Sequence, residues 1–294
     1  MEIGVSGASG QLGKAVLAEL AELAELAARG AGHRVVGISR TPERVPAPAQ
    51  GRLGDYDRAE TLLQAYSGLD RLLLIPSADL GPGVRGRQFT AAIDAAVRAG
   101  VQHIVMVSTA GTCELAEPAL GAAYWVGEQH LVKTAPRWTI LRMNYYAESF
   151  AQQAPMFLGS GILPGLGENR VAFVSRDDVA AAAAGILLGE GHAGAIYNAT
   201  GPVALSGAQR AALVAELSGK PLRFAVSDEA PLRQGLAQAG LPGGFVDAVI
   251  DIEKRFVAGA FDVVTGDVAR LAGREPRALR TLLADSLRPA AADA

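Results

Sequence analysis

A chain of 294 residues, half of them hydrophobic, carries enough apolar material for one large domain or two coupled ones. A net charge of −3 supplies no basic footprint for nucleic acid, and the single cysteine, Cys113, excludes an internal disulfide and suits a reducing compartment. Met1-Glu2 lacks the basic start and apolar stretch of a secretory signal, and the longest apolar run, Val179–Leu188, covers about half a membrane span. A cytoplasmic protein is expected, with neither nucleic acid nor membrane as partner.

The first element along the chain is a short apolar strand, Glu2–Ser6. Glycines follow at positions 7, 10 and 13, then a helical pattern over Gln11–Ala28, rich in Leu, Ala and Glu. Strand, glycine turn and helix in this order open a βαβ unit toward a dinucleotide. Gly7 can take the positive φ of a tight turn, Gly10 leaves the backbone open to a pyrophosphate, and Gly13 lets the helix lie close on the strand. The N–H groups at the helix start, around Gln11 and Leu12, face the phosphates with the positive end of the helix dipole. Glycine is abundant in this chain, so the spacing alone is weak evidence. Its position directly between strand and helix carries the weight.

Further strands are expected at Arg34–Ser39, Asp70–Ile75, His103–Ser108 and Trp138–Arg142, each a near-continuous apolar run. Helical patterns lie between them at Ala59–Tyr66, Val84–Ala99 and Tyr124–Lys133. This alternation means an α/β, Rossmann-type doubly wound parallel sheet, with ligands beyond the strand C-termini. Residues 151–175 read as a loop-rich covering segment, Asp177–Leu188 as a helix and Ala195–Asn198 as a short strand. Ser206 starts another helix, with Gln209 placed for a capping box, and Leu222–Val226 reads as a strand. The remainder is mostly helical, with a Leu-Pro-Gly-Gly turn at 241–244 and a polar tail from Pro289. The expected organisation is a dinucleotide-binding domain over 1–150 and a smaller, mostly helical lobe over 151–294. That lobe is not independent; it folds back over the sheet and leaves a substrate cleft.

The end of the second strand indicates the cofactor. A fold that prefers NAD places a carboxylate there for the ribose 2′-hydroxyl. Here Gly37-Ile38-Ser39-Arg40-Thr41-Pro42 has no acid until Glu43. Arg40 offers a planar, always-charged fork to a 2′-phosphate, so NADP(H) is expected; the plainer reading is that Arg40 solvates the strand end. Asp55 stands where a third strand would end and can accept a bond from the adenine amino group, with Tyr56 covering the ring. The alternative for Asp55 is an N-cap of the Ala59–Tyr66 helix, a role equally open to Asp57.

Several segments then stand in a telling order: Gly7-Ala8-Ser9-Gly10-Gln11-Leu12-Gly13, Ser39-Arg40-Thr41-Pro42, Gly54-Asp55-Tyr56 and Leu72-Leu73-Leu74-Ile75-Pro76-Ser77. Leu141-Arg142 with Tyr145-Tyr146-Ala147-Glu148, and Arg176-Asp177-Asp178-Val179-Ala180, complete it. Together they resemble the NmrA-like, atypical short-chain dehydrogenase/reductase family, most closely its branch of NADPH-dependent quinone oxidoreductases and triphenylmethane reductases. The likeness runs from residue 2 to near residue 285. It implies that Gly7, Ser9, Gly10, Gln11 and Leu12, with Gly13 behind them, cradle the pyrophosphate and that Arg40 holds the 2′-phosphate. It also implies that Pro76, Ser77 and Ala78 pass under the cofactor, and that the stretch from Met143 through Tyr145 to Glu148 flanks the nicotinamide. Ser108, closing the fifth strand, joins the cofactor-facing set.

On the catalytic side the pattern departs from the family. Typical members use a serine and then a tyrosine with a lysine four residues on, the lysine favouring the phenolate. Here Tyr124 is followed by Glu128 on the same helix face, and a carboxylate there disfavours the phenolate. Tyr124 therefore fits a proton donor better than an activated base. The quinone-reductase branch also lacks the full pair. Hydride delivery to a quinone needs few donors around the acceptor oxygen, and Asn144, Tyr145 and Tyr146 are the candidates; aromatic packing is the plainer reading of either tyrosine. His33, His103, His130 and His192 are scattered and form no ligand cluster with Cys113, so no metal is expected. The leading expectation is an NADPH-dependent reductase of quinones or similar planar, electron-poor organics. Its rivals are an NADP(H)-binding redox-sensing regulator without turnover and a reductase or dehydrogenase of a specialised carbonyl or imine. The expected partner is a small-molecule substrate; a homodimer is left open.

Overall fold

The computed structural model describes residues 1–26, 32–115 and 119–287. In chain order the first elements are β1 (Glu2–Ser6), α1 (Gln11–Leu26), β2 (Arg34–Ser39), β3 (Gln50–Leu53), α2 (Ala59–Tyr66), β4 (Arg71–Leu74), α3 (Val84–Arg98), β5 (His103–Thr109), α4 (Leu120–Thr134) and β6 (Trp138–Met143). Then come α5 (Ala147–Ser160), β7 (Ile162–Gly165), β8 (Arg170–Val171), α6 (Arg176–Leu188), β9 (Ala195–Ala199), β10 (Leu205–Ser206) and α7 (Gly207–Ser218). The last are β11 (Arg223–Val226), α8 (Glu229–Gln238), α9 (Gly243–Val257), α10 (Asp267–Ala272) and α11 (Leu279–Leu287). Positions 27 and 28 of the expected first helix, and the polar tail from Pro289, lie outside the described residues.

Seven strands form one parallel sheet in the order β3-β2-β1-β4-β5-β6-β9. The chain winds one way from β1 to β3 and the other way from β4 onward. The crevice at the strand C-termini between β1 and β4 is therefore the ligand position of such a sheet. Ile3, Val5, Leu72, Leu73, Leu74, Ile104 and Met106 are fully buried, which is why these strands read as unbroken apolar runs. The edge strand β3, Gln-Gly-Arg-Leu, pairs only with β2 and is largely exposed, so it lacks that signature.

Two compact units interleave along the chain. The first comprises Met1–Met143, Asp177–Ala199 and Asp267–Arg274; the second comprises Asn144–Arg176, Thr200–Gly266 and the chain from Glu275. Residues 177–199 and 267–274, expected within a lobe running from 151, thus belong with the sheet. The reason is one more crossover: α6 leads into β9, which pairs with β6 from Thr139↔Ala195 to Met143↔Ala199.

Within the second unit, the expected loop at 151–175 is helical as far as Ser160. Phe150, Ala151, Ala154 and Phe157 form a buried stripe at helical spacing that outweighs Pro155 and Gly159. The capping box of α7 forms: Ser206 Oγ accepts from the Gln209 N–H at 3.2 Å, and Gln209 Oε1 accepts from the Ser206 N–H at 2.8 Å. The Leu-Pro-Gly-Gly segment is the entry to α9, with Pro242 as its N-cap. No helix among the described residues is long and apolar enough to cross a membrane.

At the N-terminal edge of the sheet, His103 is buried against Thr139, with Nε2 2.8 Å from Thr139 Oγ1. That hydroxyl gives its own proton to the His192 carbonyl at 2.6 Å, so Nε2 carries the ring proton, and the buried Nδ1 has no partner among the described residues. Burial, reinforced by the charges of Arg137 and Arg71, pushes the His103 pKa down to about 4. An unfolded histidine titrates near ~6.5, so as pH falls the unfolded chain takes the proton first. Stability is therefore complete above that value and declines as pH falls toward about 4. The expected loss is about 2–3 kcal/mol. Denaturant midpoints for the wild type and His103→Gln should show it, with the variant losing correspondingly less over the same interval. Parallel pH dependence in the two proteins would contradict a buried neutral His103.

Candidate functional site

The turn after β1 is built by backbone contacts. Gly7 has φ +89°, and the N–H groups of Gly7 and Ala8 both donate to the Ile38 carbonyl, at 3.0 and 3.1 Å. The Gly10 N–H returns to the Gly7 carbonyl at 3.1 Å, and the Gly10 carbonyl accepts the first helical bond, from Lys14, at 3.0 Å. The N–H groups of Gln11, Leu12 and Gly13 thus belong to a first helical turn, where no intrahelical partner exists. A Cβ on Gly13 would lie 2.3 Å from the Gly7 oxygen and 2.7 Å from the Ala8 Cα, a distance no side chain tolerates. Beside Gly10, by contrast, the only neighbour is the Gly7 oxygen at 3.3 Å. The result is an open cradle of donors at a helix N-terminus, which fits a pyrophosphate.

Hydroxyl groups tie this turn to the end of β2. Ser39 Oγ donates to Ser9 Oγ at 2.7 Å and accepts from the Thr41 N–H at 3.1 Å. Arg40, between them in sequence, is exposed, and its guanidinium has no hydrogen bond or ion pair among the described residues. An unpaired fork beside an anion cradle fits a 2′-phosphate.

At the end of β3 neither carboxylate caps α2, whose N-cap is Arg58. Asp55 Oδ1 instead accepts from the Asp57 N–H at 3.1 Å, and the Asp57 carboxylate accepts from Gln88 Nε2 at 3.0 and 3.2 Å. The Tyr56 hydroxyl donates to the Ile75 carbonyl at 2.8 Å, and burial pushes that phenol's pKa up. Its ring packs on the core of the sheet unit.

The loop after β4, through Pro76, Ser77 and Ala78, is held by α3. Ser77 Oγ donates to Gln88 Oε1, and the Ser77 carbonyl accepts from Arg85 Nε at 3.1 Å. Arg85 also reaches Tyr124: Nη1 lies 3.3 Å from the phenol oxygen, and the guanidinium 5.2 Å from the ring centroid. Tyr124 is 4% exposed and packs against Phe89, so it is a core residue as well as a catalytic candidate. Glu128 does not press on it as expected from the helix face. The Glu128 carboxylate, 2% exposed, accepts from Arg142 Nε and Nη2 at 2.9 and 2.6 Å and from Ser108 Oγ at 2.5 Å. The hydrogen bond to Glu128 raises the Arg142 pKa. The charge against Tyr124 is the cation Arg85, and the Ser108 hydroxyl is committed to Glu128.

The chain leaves β6 through Met143, half-buried against the core. Asn144, expected to donate to an acceptor oxygen, is corrected to a structural role. It is 2% exposed, donates to the Phe261 and Val263 carbonyls at 3.1 and 3.5 Å, and accepts from the Tyr145 N–H at 2.7 Å. Backbone groups saturate its amide. Tyr145 meets Phe173, Phe256 and Phe261 edge-on, with centroids 5.9, 5.2 and 6.3 Å away, and its hydroxyl accepts from Gln153 at 3.2 Å. Tyr146 is half-exposed at the N-cap of α5, with the Arg176 guanidinium 5.1 Å from its ring centroid. No cluster of three metal-ligating side chains occurs among the described residues. Arg85 and Gln88 escape sequence reasoning, since nothing in their type or spacing separates a buried polar residue on α3 from a solvated one.

The contact of Gly13 with the turn yields a direct expectation. Gly13→Ala should lower stability by about 1–3 kcal/mol through overpacking. It should also weaken NADPH binding tenfold or more, because the donors of the cradle move apart. Unchanged melting and dinucleotide titration in this variant would contradict the geometry.

Known proteins share this chain's sequence and fold. The family described as NAD(P)H-binding matches residues 7–189. Quinone oxidoreductase 2 of Escherichia coli (strain K12) is 34% identical over 225 residues, covering 74% of this chain and 77% of the relative. The crystal structure of NADPH-dependent quinone oxidoreductase from Escherichia coli complexed with NADPH superposes with a TM-score of 0.87 at 28% identity, over 96% of this chain and 99% of that one. Citrobacter sp. triphenylmethane reductase complexed with NADP(H) gives a TM-score of 0.86 at 25% identity, over 97% of this chain and 100% of that one. The chain belongs to the NAD(P)H-binding family, in its NmrA-like, atypical short-chain dehydrogenase/reductase branch, and is an NADP(H)-binding oxidoreductase.

Proposed function

We propose that this oxidoreductase uses NADPH to reduce quinones or similarly planar, electron-poor acceptors. The pyrophosphate falls to the N–H groups of the Gly7–Gly13 turn, including Ser9, Gln11 and Leu12, and the 2′-phosphate to Arg40. Asp55 and Tyr56 stand at the adenine end, Pro76, Ser77 and Ala78 pass beneath, and Met143 and Tyr145 lie by the nicotinamide. When bound, the cofactor supplies a hydride. The chain's own residues need only orient the acceptor and furnish a proton.

The observation that carries the choice of acceptor is the state of Glu128. It occupies the place of a base-activating lysine, is ion-paired with Arg142 and accepts a hydrogen bond from Ser108. The cation at Tyr124 is Arg85, whose guanidinium keeps its protons and so cannot relay one as the lysine of an alcohol-oxidising site does. An acceptor that takes a hydride readily and asks for one proton suits such a site. The names of the Escherichia coli and Citrobacter relatives support this class. The single cysteine supports a reducing compartment such as the cytoplasm.

The test is NADPH oxidation, followed by its near-ultraviolet absorbance, against quinones, triphenylmethane dyes and simple carbonyls, with NADH in parallel. Quinone turnover is expected, with kcat/KM for NADPH about tenfold or more above that for NADH. Tight NADPH binding without oxidation by any acceptor would overturn the reading in favour of a redox-sensing regulator.

A further inference from the structure

Two polar side chains interrupt the apolar inner face of α3. Phe89, Ala92, Ile93 and Ala96 of that helix are buried, and so are Arg85 and Gln88, one turn apart and 8% and 6% exposed. Packing alone is served by apolar residues, and a buried amide costs its desolvation unless both ends are bonded. At Gln88 both are. Its Nε2 donates to the two oxygens of the Asp57 carboxylate at 3.0 and 3.2 Å, and its Oε1 accepts from the Ser77 hydroxyl. A carboxylate can only accept and a hydroxyl can donate, so one orientation of the amide serves both partners.

The partners lie on different loops of the first unit. Asp57 is on the loop after β3 and Ser77 on the loop after β4, which the proposed function sets at the adenine end and beneath the cofactor. Each loop is braced within itself. In the first, the Asp57 N–H donates to Asp55 Oδ1 at 3.1 Å and the Asp55 N–H to Thr61 Oγ1 at 2.9 Å. In the second, the Ser77 carbonyl accepts from Arg85 Nε at 3.1 Å, and Ser77 Oγ accepts from the Asp79 N–H at 3.3 Å. The loops also meet directly, where the Tyr56 hydroxyl donates to the Ile75 carbonyl at 2.8 Å. That bond lies at the root of the second loop, because the Ile75 N–H is held by the Ser6 carbonyl of β1 at 3.1 Å. A tie at the root alone leaves a hinge. A further tie through Gln88, at Ser77, also sets the separation of the loops.

We propose that Gln88 is a positioning residue for the cofactor, holding the loops after β3 and β4 at the separation at which one dinucleotide meets both. The assignment rests on the placement of NADP(H) along this edge under the proposed function. Gln88 acts through Asp57 and Ser77 rather than by touching the cofactor. A ligand confined to the adenine end gains little from the bracket, whereas the full dinucleotide, which spans both loops, gains from it.

The test is titration of the full chain with NADPH and with adenosine 2′,5′-bisphosphate, the adenine end alone, with melting followed in parallel. Gln88→Met keeps the length of the side chain and removes both bonds. It should lose about tenfold in NADPH affinity but less than about twofold for the bisphosphate, with melting nearly unchanged. Gln88→Glu, which sets a carboxylate against Asp57, should lose at least as much. Adding Asp57→Asn to it reverses the pair, so that the new amide donates to the new carboxylate and the Ser77 hydroxyl still has its acceptor. That double variant should return to within about threefold of the wild type, and Asp57→Asn alone completes the cycle that isolates the coupling. Gln88→Met binding NADPH as the wild type does would overturn the assignment. So would equal losses for the two ligands, which mark a general loosening, or a reversed pair no better than Gln88→Glu. A wild type that binds no NADPH would instead overturn the placement of the cofactor, and the bracket with it.

Discussion

The backbone of α1 rests at Gly13 on the carbonyl of Gly7, closer than any side chain would allow, and the ligand edge of the sheet takes its register from that contact. It lets the first turn of the helix present its N–H groups to an anion. The same turn is locked to β2 by two bonds to the Ile38 carbonyl and by the Ser39–Ser9 hydroxyl pair. Arg40 follows at once, so the pyrophosphate cradle and the cation for the 2′-phosphate are set by one short piece of chain. The Ile75 N–H bonds the Ser6 carbonyl at 3.1 Å, which brings the loop after β4 to the other side of the crevice.

Charge is distributed around this edge in a way that differs from a tyrosine–lysine site. The acid at 128 is drawn away from Tyr124 by two arginine bonds and a serine hydroxyl. Removing one partner of such a buried pair typically costs about 3–5 kcal/mol, so Glu128 and Arg142 act as a structural clamp between α4 and β6. Tyr124 meets Arg85, whose other bond holds the Ser77 carbonyl. The second unit contributes an aromatic cluster in which Tyr145 meets Phe173, Phe256 and Phe261 edge-on.

Much of this was legible in residue order. Strands buried on both faces announce themselves as apolar runs, and the glycine turn announces the cofactor because it sits directly between such a strand and a helix. What escaped depends on tertiary surroundings. β3 is a polar edge strand, and α5 hides its buried stripe behind Pro155 and Gly159. Asn144 looks like a donor in sequence, yet the Phe261 and Val263 carbonyls, more than a hundred residues away, claim its amide. Glu128 and Tyr124 do share a helix face, but which charge each one meets is decided by β6 and α3.

The most direct measurement of the central claim is the affinity of wild type and Arg40→Ala for NADPH and NADH, by fluorescence or calorimetric titration at fixed ionic strength. The cradle and the free guanidinium together require that the variant lose about tenfold or more in NADPH affinity while its NADH affinity stays nearly unchanged. Equal losses for both dinucleotides, or none for either, would contradict the placement of the 2′-phosphate and with it the orientation of the cofactor along the sheet edge.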